Sequence, residues 1–172
     1  SSVRKAQTQA RSKTAGNHRR SFVSGSLLPN SSIHDLAKTG KHANAIELAT
    51  QELSTANLET AVQVTLLELR SESYIALGKF DLAAADVDTM RVLADASDPT
   101  LEIRALNRKA RVQLSKGDLV ESTQTAETAT RLARALKPAN PYLLAQSLYG
   151  LGEAIKNSGK YQSAIQVAKE AI

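Results

Sequence analysis

The chain has no cysteine and no tryptophan, and aromatic residues fill 3% of its 172 positions. Without cysteine there is no disulfide framework, no thiolate metal site and no cysteine nucleophile, and a reducing compartment fits. Scarce aromatics argue against an all-β sandwich, whose strands draw on aromatic and β-branched residues. No stretch approaches the ~20 uninterrupted apolar residues of a membrane-spanning helix. Motifs of catalysis are missing as well: GxSxG, the phosphate-cradling GxxxxGK[ST] and GxGxxG do not occur. The three histidines, His18, His34 and His42, form no helical i, i+4 pair, so no metal site is expected. Asp86 and Asp88 stand two apart on a helical stretch, face different ways and suit solvation better than acid–base work. The expectation is a protein that is not an enzyme and carries no cofactor.

Acidic residues are also absent from residues 1–30, which hold Arg4, Lys5, Arg11, Lys13, Arg19 and Arg20. The remaining residues hold 16 basic against 17 acidic groups, so the formal charge of +5 belongs to this segment and the body is near neutral. Residues 1–30 are rich in Ser and Thr, have little to bury and read as a basic, flexible N-terminal segment. Three other readings stand beside that one. A polybasic arm on an acidic partner or on nucleic acid would lack the stacking part of single-strand binding, because no aromatic lies among the charges before Phe22; nucleic-acid or membrane contact through this segment is disfavoured but left open. A remnant of an organelle transit peptide fits the Arg- and Ser-rich composition. A phosphorylation site at Ser21 follows from Arg19-Arg20-Ser21. An intracellular location, cytoplasmic or nuclear, is expected, with organelle import left open.

What the sequence does have is a repeat. TGKHANAIELA from Thr39, LGKFDLAAADV from Leu77, KGDLVESTQTA from Lys116 and SGKYQSAIQVA from Ser158 share one pattern, with Gly40, Gly78, Gly117 and Gly159 spaced by 38, 39 and 42 residues. Ahead of each Gly lies a run with helical apolar spacing, such as Leu66, Leu67, Leu69, Tyr74 and Leu77. Gly suits the left-handed position that ends a helix. Two residues on, His42, Phe80, Leu119 or Tyr161 is able to pack back on the helix just finished. Three further on, Ala45, Ala83, Ser122 and Ala164 are small, as a close helix crossing requires. Each unit is thus a helical hairpin.

Asp98-Pro99 and Asn140-Pro141 place a capping side chain ahead of proline at a helix start. Ser32 with Asp35 and Asp118 with Glu121 resemble capping boxes. Helices are predicted over 31–39, 42–54, 58–77, 80–95, 99–115, 118–136, 141–158 and 161–172, with no strand. A period near 40 points to an all-α solenoid of antiparallel hairpins with about four repeats over residues 31–172.

These residues resemble the tetratricopeptide repeat family. The fourth unit carries the resemblance through Leu148, Leu151-Gly152, Ile155, Gly159, Tyr161, Ala164, Ala168 and Ala171. The second carries it through Leu67, Ser71, Tyr74, Gly78, Phe80 and Ala83, and the third through Leu106, Ala110, Gly117, Leu119, Ala126 and Ala129. The first unit has His42 at the aromatic position. The family's usual period is about 34 residues, so this is similar to its long-repeat variants, such as those of kinesin light chains and of the sensor regions of large bacterial regulators.

The resemblance implies a concave groove, lined by the first helix of each hairpin, that holds a peptide or helix of a partner. Carried over, the groove positions are Thr65, Glu68, Glu72 and Ile75, then Arg104, Asn107, Arg108 and Arg111, then Gln146, Tyr149, Glu153 and Lys156. Arg104, Arg108 and Arg111 at i, i+4 and i+7 share one face and suit an acidic ligand. The competing reading pairs them with Glu68, Glu72 or Glu102 as a solvated face. The family's chaperone-tail clamp is not reproduced.

Two functions follow: an interaction scaffold within a larger assembly, or a sensor module of a larger regulator or enzyme whose catalytic or DNA-binding part lies elsewhere. The last helix runs through Ala164, Ile165, Ala168, Ala171 and Ile172 with no polar cap, so the chain reads as truncated there, or as covered by another chain, self-association included.

Overall fold

The computed structural model describes residues 29–94 and 98–170. Among these there are eight helices and no strand: α1 (Pro29–Lys38), α2 (His42–Leu53), α3 (Thr60–Ala76), α4 (Phe80–Leu93), α5 (Pro99–Lys116), α6 (Leu119–Ala135), α7 (Pro141–Asn157) and α8 (Tyr161–Glu170). All eight predicted helices are present within the described residues, with their ends shifted by two residues or fewer. The basic segment up to residue 28, Ser21 included, and the terminal Ala171 and Ile172 lie outside the described residues. None of the described helices is long and apolar enough to cross a membrane.

The glycine turns are built alike. Gly40, Gly78, Gly117 and Gly159 have φ of 76°, 69°, 89° and 78°. In each turn the glycine N–H donates to the carbonyl three residues back, as Gly78 does to Ile75 at 2.9 Å. The next N–H donates five back: Lys41 to Leu36, Lys79 to Tyr74, Asp118 to Gln113 and Lys160 to Ile155. This pair of bonds closes the open carbonyls of the helix just ended. A side chain at such a φ costs about 1 kcal/mol or more, which is why glycine punctuates the sequence here.

Caps between hairpins follow the sequence where proline marks them. Asp98 Oδ1 accepts from the Thr100 N–H at 3.0 Å, and Asn140 Oδ1 from the Leu143 N–H at 3.0 Å. The two expected capping boxes are not formed. Ser32 lies inside α1, which already includes Pro29, so it does not cap the helix. Asp118 makes no side-chain cap bond; its backbone N–H serves the closure of α5 instead, and its torsions (φ −78°, ψ 67°) match those of Lys41 and Lys79, which hold the same place and also cap nothing.

Every helix packs against the next in the chain. In addition α1 meets α3, α3 meets α5 and α5 meets α7, whereas among the described residues the backbones of the even-numbered helices stay apart from one another. The core follows this order. Ile33, Ala45, Ala49 and Leu66 join α1, α2 and α3; Val64, Leu67, Met90, Leu101 and Ala105 join α3, α4 and α5; Ala110, Ala126, Leu151 and Ile155 join α5, α6 and α7. The small residues sit at the crossings as expected, with Ala45, Ala83 and Ser122 buried, and Ser122 Oγ donating to the Ala110 carbonyl at 2.8 Å. Tyr161 departs from the pattern: it is 66% exposed, because among the described residues nothing covers that side of α8.

One buried charge was not expected. Asp86, read from sequence as solvated, is 4% exposed, while Asp88 two residues on is exposed. Arg70 of α3 grips Asp86 with Nε to Oδ2 at 2.9 Å and a terminal nitrogen to Oδ1 at 2.5 Å, reaches Thr50 Oγ1 of α2 at 3.0 Å and lies over the Tyr74 ring. The bond to Asp86, together with that carboxylate's charge, holds the Arg70 guanidinium above its ordinary pKa against the opposing effect of burial. One side chain thereby ties α2, α3 and α4.

Candidate functional site

Where α3, α5 and α7 come together, their exposed faces form an open groove of about 600 Å³. Helical spacing sets its rows. On α3, Glu68 and Glu72 are one turn apart; on α5, Arg104, Arg108 and Arg111 follow each other at i, i+4 and i+7; on α7, Tyr142, Gln146, Tyr149 and Glu153 do the same. The structure brings together in this groove all nine candidate residues: Glu68, Glu72, Arg104, Asn107, Arg108, Arg111, Gln146, Tyr149 and Glu153.

The electrostatics differ from a free ridge of three cations. Arg104 binds Glu68 through two nitrogens, at 3.1 Å and 2.5 Å, and donates to Thr65 Oγ1 at 2.8 Å. Arg108 pairs with Glu72. Both pairs join residues 36 apart, so each acid on α3 meets the arginine one unit later on α5. Of the two sequence readings for these arginines, pairing across the helices therefore holds for Arg104 and Arg108. Glu102 is exposed and makes no ion pair among the described residues. Arg111 is exposed and likewise has no carboxylate within reach among the described residues. Glu153 bonds to Lys156 Nζ at 2.6 Å along α7. With these three pairs neutral, the groove keeps, among the described residues, the single cation of Arg111.

The rest of the lining is aromatic and amide. Tyr142 is 74% exposed and Tyr149 68%, and Tyr142 Oη accepts from Gln146 Nε2 at 3.0 Å. Asn107 Nδ2 is buried and has no hydrogen-bond partner among the described residues, an arrangement that costs free energy. The site can therefore present a guanidinium, the exposed amide of Gln146 and two ring faces to one elongated ligand.

Thr65, carried over as a groove position, instead anchors Arg104. Ile75 does not line the groove; it packs with Tyr74 and Ala84 against Ala83 and Val87 of α4 and Val112 of α5. Tyr142 was missed, although its place seven residues before Tyr149 was a legible signal for a shared helical face. No protein-family model matches the chain, and no curated protein is similar to it.

Proposed function

We propose that the chain is an α-solenoid of four tetratricopeptide-like hairpins that serves as a protein-interaction scaffold, holding an extended or helical segment of a partner along the α3–α5–α7 groove. Backbone contact among α1, α3, α5 and α7, with none among the even-numbered helices in the described residues, where α6 and α8 are bridged through the long side chains of Arg134 and Glu170, is what a stack curved toward its odd-numbered helices would have, and such curvature makes the odd layer concave. The observation that carries the reading is the joint exposure of Tyr142, Tyr149 and Arg111 in one groove. Exposed aromatics and arginine are the residues that dominate recognition sites. Because Arg104 and Arg108 are already paired, a strongly acidic ligand gains less here than three free cations would give. The favoured ligand has apolar or aromatic side chains for the tyrosines and one carboxylate for Arg111.

Affinity capture with the full chain tests this. The double variant Arg111→Glu, Tyr149→Ala, whose positions are both exposed, keeps its helicity by circular dichroism and loses a specific partner by tenfold or more. Retention of every partner at full yield removes the groove from consideration.

A further inference from the structure

The groove between α3, α5 and α7 offers hydrogen-bond donors to a ligand and keeps its charged acceptors engaged. Its three carboxylates are all taken among the described residues: Glu68 by Arg104, Glu72 by Arg108 and Glu153 by Lys156. Exposed in the groove are the Arg111 guanidinium, the Gln146 amide and the phenols of Tyr142 and Tyr149. Tyr142 Oη accepts from Gln146 Nε2, which leaves the hydroxyl proton of Tyr142 and the second N–H of Gln146 to donate. An extended ligand of ordinary residues brings an N–H with every carbonyl, and an N–H turned toward such a lining without an acceptor costs free energy. Proline brings the carbonyl alone.

Ring spacing points the same way. Tyr142 and Tyr149, seven residues apart on α7, stand about 10.5 Å apart along the helix axis. A polyproline II chain advances about 9.3 Å in the three residues of one turn. Prolines three apart on a chain running along α7 therefore reach both exposed rings, with the Gln146 amide between them for a carbonyl. An amphipathic helix finds less to hold. Beside the tyrosines, the apolar lining is Ala110, Leu114, Ala145 and Gly150, small except for Leu114. We propose, resting on the groove reading above, that the ligand is a proline-rich segment of a partner protein in the polyproline II conformation. It lies along α7 with prolines three apart on Tyr142 and Tyr149, and a flanking acidic residue meets Arg111. Its preformed conformation has little chain entropy left to lose on binding.

Fluorescence anisotropy with the full chain tests this, using a fluorescein-labelled peptide of ten prolines with a glutamate at each end. Binding is saturable, weakened tenfold or more by Tyr142→Ala and by Tyr149→Ala, as loss of an aromatic anchor does, and weakened also by Arg111→Glu. Tyr161→Ala on α8, outside the groove, leaves it unchanged. All four positions are exposed, so the variants keep their helicity by circular dichroism. A peptide with Gly-Ser repeats in place of the prolines does not bind. Absence of saturable binding overturns the proposal, as does binding that ignores both tyrosine substitutions or that the Gly-Ser peptide matches. The groove reading fails separately. It falls if the Arg111→Glu, Tyr149→Ala variant retains every partner in affinity capture, and it stands without the proline ligand if that variant loses its partner while the proline peptide does not bind.

Discussion

Replacing Arg70 with methionine lowers the unfolding free energy by about 3 kcal/mol, the range in which removing one partner of a buried ion pair falls. Its Asp86 partner has a side chain 5% exposed, and no other cation is bonded to it among the described residues. The loss comes chiefly from the stranded carboxylate rather than from missing Arg70 contacts. Asp86→Leu in the same background therefore restores most of the stability, because burying two apolar groups avoids the desolvation of two charges. Urea denaturation of the two single variants and the double variant measures the coupling. A cost below about 1 kcal/mol for either single variant is the behaviour of a surface pair, and would mean that water reaches Asp86.

Met90→Ala lowers stability by about 3 kcal/mol, as the removal of large buried side chains does. Met90 is 0% exposed and packs in the cluster that joins α3, α4 and α5. Val92, two positions later on the same helix, is 86% exposed, and Val92→Ala changes stability by no more than about 0.5 kcal/mol. The serial packing adds a consequence. Since each helix touches only near neighbours in the chain, a defect at α4 weakens the coupling between the hairpins before and after it. Hydrogen exchange in Met90→Ala then shows α1 to α3 opening at lower free energy than α5 to α7. Uniform loss of protection over all helices would instead mark a single cooperative unit.

Much of the fold was legible because its signals are local. Gly40, Gly78, Gly117 and Gly159 end helices through backbone torsions that only glycine takes cheaply, and Asp98 and Asn140 cap through bonds to residues two or three positions on. The helices between these marks could therefore be placed by counting. Pairings across helices were harder. Asp86 looked like any acid beside Asp88 until α3 brought Arg70 to it from 16 positions away. The same limit explains the arginines. Their shared face follows from i, i+4 and i+7 spacing, but only the stacking of α5 on α3 shows that Glu68 and Glu72 neutralise two of the three. Ser32 failed as a cap because α1 already includes Pro29, and Ile75, although it shares a helical face with Glu68 and Glu72, failed as a groove residue because it packs on α4 and α5, a tertiary contact that spacing does not show.

The measurement that tests the scaffold reading most directly is site-specific photo-crosslinking from two exposed positions, Tyr149 in the groove and Val92 on α4 outside it. With benzoylphenylalanine placed at one or the other in the full chain, the groove reading predicts that one discrete partner is captured from position 149 and not from position 92. Capture from 92 with none from 149 would contradict it and move the binding surface to the outer helices.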